Sequence, residues 1–213
     1  MEYGLYVQHI YDSNMILVCL YFDDILLTGS CSDEITKFKK VLMNEFEITD
    51  IENMIYFLGM EILYFDKGII FHQLKYELEL LKRFDLINYK SAITHAETNK
   101  KLDSDVKGDD IDATIFKQLV DCLRYLCNTI SDICYAVEMV SRFINKPEWS
   151  DYQVIVMILR YIKGTWKYGL LFSFDCESDS ELICCSDSDW CRDRVDKRST
   201  SGYFFKYLRG FIS

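Results

Sequence analysis

The sequence predicts an α+β fold, with antiparallel hairpins packed beside helices, then a helical stretch, then a return to strands. Half of the 213 residues are apolar and 15% are aromatic, which is enough to bury a core. One proline and nine glycines leave too little punctuation for the many turns of an all-β sandwich. Short apolar runs divided by tight loops also alternate with segments whose apolar residues recur at helical spacing.

The first run, Met15 to Phe22 (MILVCLYF), is almost continuously apolar, and Ile25 to Thr28 (ILLT) forms a second that ends at Gly29-Ser30. Both read as buried strands. Only Asp23 and Asp24 lie between them, so the pair is expected in a two-residue loop at a hairpin tip. Ser32 or Asp33 can cap a helix carrying Ile35, Phe38, Val41, Leu42 and Phe46, a stripe that should lie flat on the sheet. Tyr56 to Tyr64 and Ile69 to His72 flank Asp66-Lys67-Gly68 and predict a second hairpin. An amphipathic helix follows, with Leu74, Leu78, Leu81 and Phe84 on one face.

From Asn88 to Asp112 apolar residues thin out, and Lys100 to Asp112 (KKLDSDVKGDDID) mixes charges with turn formers. That composition is a solvated linker and the best internal boundary. Three helical patterns come next. The first holds Phe116, Leu119, Leu123, Leu126 and Ile130; the second, opened by Ser131-Asp132, holds Ile133, Val137, Val140 and Ile144. The third starts near Pro147 with Tyr152, Ile155, Val156, Leu159 and Ile162, and Gly164 stands where a C-terminal glycine cap belongs. These stripes read as core. Leu170 to Phe174, Glu181 to Cys185 and Ser201 to Tyr207 return to strand character.

A net charge of −10 opposes strong nonspecific binding to nucleic acid, since phosphate contacts come mainly from clustered Lys and Arg. The nine cysteines include the adjacent Cys184-Cys185 and the pair Cys122 and Cys127, but no C-x-x-C. Zinc is therefore disfavoured on spacing, and the thiols read as small buried apolar groups in a reduced chain. No secretory signal is visible, and the longest apolar run is too short to span a bilayer. An intracellular protein, in cytoplasm or nucleus and away from membranes, is expected.

Two neighbouring carboxylates at the tip of an apolar hairpin repel each other unless a cation lies between them. Asp-rich pairs also occupy ordinary exposed turns. Apolar residues along both arms make Asp23 and Asp24 stand out, and Mg²⁺ is the cation suited to them: it takes one or two protein carboxylates plus waters and substrate phosphates. A pair of such ions can clamp the attacking and leaving oxygens of phosphoryl transfer.

Tyr21-Phe22-Asp23-Asp24 resembles the Tyr-x-Asp-Asp box of reverse transcriptases, and the string LVCLYFDDILLTG is similar to its form in copia-type retrotransposons. Further blocks follow in the family's order over nearly the whole chain. Phe57-Leu58-Gly59 resembles the primer-grip hairpin; Leu119-Val120, Leu123-Arg124-Tyr125-Leu126, Asp132-Ile133, Tyr135-Ala136-Val137 and Ser141-Arg142-Phe143 resemble the helical region beyond the thumb. Leu159 to Thr165 and Tyr168-Gly169-Leu170 look like the approach to RNase H. Ser186-Asp187-Ser188-Asp189-Trp190, then Arg198-Ser199-Thr200-Ser201-Gly202, look like its opening.

The resemblance implies a partial reverse transcriptase palm with the start of the thumb over residues 1–90, a linker over 91–112, a helical thumb or connection over 113–166, and truncated RNase H-like strands over 167–213. It implies that Asp23 and Asp24 bind Mg²⁺ for nucleotide addition, that Tyr21 lies near the primer end, and that Leu58-Gly59 grips the primer. Asp187 falls on the first metal-binding carboxylate of RNase H, with Asp189 the weaker choice; read without the family, Asp187 sits in a solvated Ser/Asp-rich turn. Template-primer and deoxynucleotides would be partners of the intact parent enzyme, with weak or no nucleic-acid binding by this acidic chain. The family's earlier palm aspartate, its fingers and the later RNase H carboxylates have no counterpart here, so the isolated chain is expected to be inactive.

Departures from the family pattern point to a second reading. Asp121 replaces a glycine, Ile130-Ser131 an Arg-Pro, Cys184-Cys185 a Gly-Tyr, and Cys191-Arg192 a small residue and glycine. An interface glycine changed to aspartate would put charge where close packing is expected. On that reading the chain is a degenerate remnant without catalysis, acting at most as a protein-interaction module.

Overall fold

The computed structural model describes residues 4–10, 14–94, 111–174, 181–188, 199, 201–207 and 210–212. Most of the expected linker, and Asp189, Trp190, Cys191, Arg192, Arg198 and Thr200, lie outside these. The fold is α+β throughout. It divides into two compact units, Met1–Met54 and Ile55–Ser213.

In the first unit, β1 (Gly4–His9), β2 (Met15–Tyr21) and β3 (Asp24–Gly29) form an antiparallel sheet in chain order. β1 has no strong apolar pattern and was not expected; it pairs along its full length with β2, from Gly4 opposite Leu20 to His9 opposite Met15. α1 (Ser32–Glu45) follows, with Cys31 rather than Ser32 or Asp33 at its N-cap and no side-chain cap bond. Half-buried Ile35, Phe38 and Leu42 share one face of α1, while Val41 and Phe46 are exposed. The strands are not buried as expected, because three short strands and one helix cannot cover both faces of an apolar sheet. Ile16 alone among the described residues of this unit is fully buried.

The second unit is built around a four-stranded antiparallel sheet, β4 (Tyr56–Phe57), β5 (Met60–Phe65), β6 (Gly68–His72) and β7 (Leu170–Ser173). The expected single strand over 56–64 is broken at Leu58-Gly59 by a turn that reverses β4 onto β5. α2 (Leu74–Arg83), α3 (Ala113–Leu126), a 3-10 turn (Ser131–Ile133), α4 (Cys134–Ser141) and α5 (Trp149–Thr165) supply the main core. Phe116, Leu119, Val120, Leu123 and Leu126 of α3 pack with Ile133, Val137 and Val140, and with Ile155, Ile158, Leu159 and Ile162. The helical periodicity of the sequence is this core, seen one stripe at a time.

Side-chain caps set where these helices begin. Asp112 accepts from the Thr114 amide at 2.7 Å at the start of α3. Glu148 and Asp151 form a reciprocal capping box at the start of α5. At the other end Gly164 does not cap; α5 runs through it to Thr165. Its missing side chain has another use, since a Cβ there would lie 3.1 Å from the Ala92 carbonyl and 3.3 Å from Ser91 Cβ. The first residues of the expected linker thus lie directly against the last turn of α5.

Two further expectations change. Asp121 is exposed on α3, so its charge is solvated and opposes no packing. Among the described cysteines, Cys184 and Cys185 are exposed and the other five half-buried, all as free thiols. A last sheet, β8 (Ile183–Ser188), β9 (Ser201–Tyr207) and β10 (Gly210–Ile212), is antiparallel in the order β10-β9-β8. No helix among the described residues is long and apolar enough to cross a membrane.

Candidate functional site

At the end of the β2-β3 ladder, Tyr21 pairs with Asp24. The two-residue loop is therefore Phe22-Asp23, one residue earlier than expected, and Asp24 is the first residue of β3. The shift runs against backbone preference: Phe22 takes the left-handed conformation, φ 51°, uncommon for a bulky residue, and this closes the turn at the first central position. Its ring packs edge-on against Tyr21, with centroids 4.9 Å apart. Asp23 and Asp24 are both exposed at this tip. No Lys or Arg among the described residues forms an ion pair with either carboxylate.

Two adjacent, solvent-exposed carboxylates form a hard-oxygen donor set. That set suits Mg²⁺, which keeps several waters and takes few protein ligands, far better than zinc, which wants nitrogen or sulfur. It is not a closed cage: no group of three or more His, Cys, Asp or Glu among the described residues is arranged to hold a metal. Remaining ligands would come from solvent and from a phosphate.

In the second unit, Leu58 and Gly59 form the β4-β5 turn, with φ of 50° and 79°. Positive φ at both central positions is the geometry that matches strand twist in tight hairpins. Leu58 is exposed. The Tyr125 hydroxyl, from α3, donates to the Leu58 carbonyl oxygen. Reading the sequence gave Tyr125 no role beyond a matched block, and no local signal could have found it, because the contact spans 67 residues.

Below this turn lies a buried polar group that the sequence also hid. Gln73 and Glu77, one helical turn apart, occupy the inward face of α2 where Leu74 and Leu78 were expected, and both are fully buried. Thr129 donates to Gln73 Oε1 at 2.7 Å. Glu61 accepts from the Lys75 amide at 3.0 Å, and its Oε2 lies 3.4 Å from His72 Nδ1. Burial, and then the charge of Glu61, push the Glu77 carboxyl up to about 8.

Asp187 lies within β8 rather than in a turn, exposed, and opposite Gly202 of β9. Its Oδ1 accepts from the Ser188 amide at 2.9 Å. Since Gly202 has no side chain and faces open space, the carboxylate is accessible from that face of the sheet.

The comparisons bear on what these features belong to. Residues 1–98 match the family described as reverse transcriptase (RNA-dependent DNA polymerase). The chain is 33% identical over 190 residues, 89% of its length, to the retrovirus-related Pol polyprotein from transposon RE1 of Arabidopsis thaliana, and spans 13% of that protein. It is 31% identical over 219 residues, 98% of its length, to the Pol polyprotein from transposon TNT 1-94 of Nicotiana tabacum, and spans 16% of it. With an Arabidopsis thaliana protein described as an uncharacterized mitochondrial protein, identity is 33% over 185 residues, covering 86% of this chain and 75% of the other. No solved structure matches. An α+β chain with these relatives is of the retrotransposon Pol class. It belongs to the reverse transcriptase family.

Proposed function

We propose that this chain carries the second half of a polymerase palm, and that in the intact polyprotein Asp23 and Asp24 hold Mg²⁺ for RNA-directed DNA synthesis. The observation that carries the reading is the tip itself, with two neighbouring carboxylates exposed and without ion-pair partners among the described residues, on a hairpin whose geometry fixes them. Bound Mg²⁺ would neutralise charge on the phosphates and orient them. The chain's own contribution is positional: the Tyr21-Asp24 pair anchors the tip, and the Phe22 turn directs both acidic side chains toward solvent, where a nucleotide and primer end can approach. Leu58-Gly59 would contact the primer strand. Asp187 would be the first metal-binding carboxylate of an RNase H domain, lying in the C-terminal portion from about residue 167.

Positioning and charge stabilisation dominate phosphoryl transfer, and the hairpin bearing Asp23 and Asp24 supplies only part of each. These 213 residues by themselves would therefore be inactive in primer extension, and the intact polyprotein would act inside the cell, away from membranes. Mn²⁺, a paramagnetic stand-in for Mg²⁺, tests the metal reading. Titrated into the labelled chain, it should broaden the amide resonances of Tyr21 to Ile25, and Asp23→Asn should abolish the effect. Broadening spread evenly over the acidic surface, or unchanged in the variant, would sink it. Template-dependent incorporation by the isolated chain that disappears in Asp23→Asn would overturn the claim of inactivity.

A further inference from the structure

The β4-β5 turn is poorly supported by its own strands. β4 has two residues and lies at the edge of its sheet, and a ladder this short is not stable by itself. Its first central residue is a leucine at φ 50°, a conformation in which an L side chain crowds the following carbonyl. Strain of this kind persists only where the surroundings hold it.

What holds it is Tyr125. The phenol donates to the carbonyl of the strained residue itself. The same oxygen fills the space beside Gly59, where a Cβ would overlap it. The ring in turn is fixed from two sides: Tyr76 of α2 packs edge-on against it, with centroids 4.8 Å apart, and α3 is anchored by the fully buried Leu123 and Leu126 on either side of it in sequence. The Tyr125 hydroxyl therefore links the helical core to the turn.

We propose that Tyr125 is a positioning residue for nucleic-acid contact: its hydroxyl locks the Leu58-Gly59 turn so that the exposed Leu58 side chain and turn backbone meet a primer strand in one geometry. This rests on reading the turn as a primer contact. Tyr125→Phe keeps the ring and its packing on Tyr76 and removes only the hydrogen bond, so the fold survives.

Amide exchange and chemical-shift mapping on the full chain test the two parts separately, with a DNA primer annealed to an RNA template as probe. In Tyr125→Phe the amides of Leu58, Gly59 and Met60 should exchange roughly tenfold faster, while those of Leu119 and Leu123 are unchanged. In the wild type, saturating hybrid should shift the turn amides, and the variant should lose that shift. A double-mutant cycle supplies a second measure: Gly59→Ala should destabilise the wild type more than Tyr125→Phe, because the added methyl meets the hydroxyl only in the former. Turn amides equally protected in Tyr125→Phe, with no coupling in the cycle, overturn the positioning role. A turn that loosens in the variant but ignores the hybrid in the wild type overturns the primer-contact reading, and the proposal with it.

Discussion

Thr129 donates its hydroxyl to the fully buried amide oxygen of Gln73, 2.7 Å away and 56 residues earlier in the chain. The bond ties the loop after α3 to the start of α2. The amide nitrogen of Gln73 has no partner among the described residues, so the oxygen is the end this bond satisfies. Thr129→Val keeps the shape and strands the oxygen in an apolar setting, which should destabilise the second unit by about 1 to 3 kcal/mol. Urea denaturation checks it; a loss below a few tenths would mean that water replaces the hydroxyl.

Glu77 gives the fold a pH dependence of unusual sign for a carboxylate. Its folded pKa, about 8, stands above the ordinary 4.5, so the folded chain keeps a proton that the unfolded chain releases between those values. Stability from this group is intact below about pH 4.5, falls as pH rises toward 8, and is level beyond it. Glu77→Gln removes the titration, and should leave the variant more stable than wild type by roughly 2 to 4 kcal/mol at pH 8.5, with the gap closing by pH 4.5. Denaturation midpoints at both pH values decide; parallel curves would show that the wild-type carboxylate finds water and ionises normally.

Lys163 offers a local rather than global effect. Its ammonium donates to the carbonyls of Ile87 and Tyr89, and Arg160 donates to Lys90 at 2.8 Å. Together they strap residues 87–92 along α5. Lys163→Met keeps the aliphatic stem but drops both bonds. The carbonyls can turn to water, so the global loss should stay near 1 kcal/mol, while the Tyr89 and Ala92 amides should exchange roughly fivefold faster. Unchanged exchange there would assign the strap to Arg160 and the Gly164 contact instead.

How much of this was legible in sequence follows from the range of each interaction. Phe116, Leu119, Leu123, Val137, Val140, Ile155 and Leu159 could be placed in the core because helical periodicity is local and each stripe faces the common centre. Asp23 and Asp24 could be placed at a reversal, but the one-residue register could not, because Phe22 in the left-handed conformation is a choice few aromatic residues make. Gln73 and Glu77 broke the pattern for a related reason. Polar residues at inward positions contradict the apolar face, and the Thr129 hydroxyl that meets Gln73 lies 56 residues away in sequence. β1, without a strong apolar pattern, is defined by its ladder with β2 alone.

Phe22 and Leu58 stand at equivalent places in the two hairpins, each the first central residue of a two-residue turn, at φ 51° and 50°. Asparagine tolerates this conformation far better than either. At Leu58 the Tyr125 hydroxyl compensates; at Phe22 the visible compensation is edge contact with Tyr21, about 0.5 to 1.5 kcal/mol. Relief of left-handed strain is about 1 to 2 kcal/mol, so Phe22→Asn should give a modest net gain, on the order of 0.5 kcal/mol, in the β2-β3 hairpin. Slower exchange of the Leu20 and Ile25 amides would register it. The carboxylates on the loop and on β3 would keep their places, so Mn²⁺ broadening at Asp23 and Asp24 should persist in the variant. Faster exchange instead would show that the aromatic pair, and not the backbone, sets the geometry of the tip.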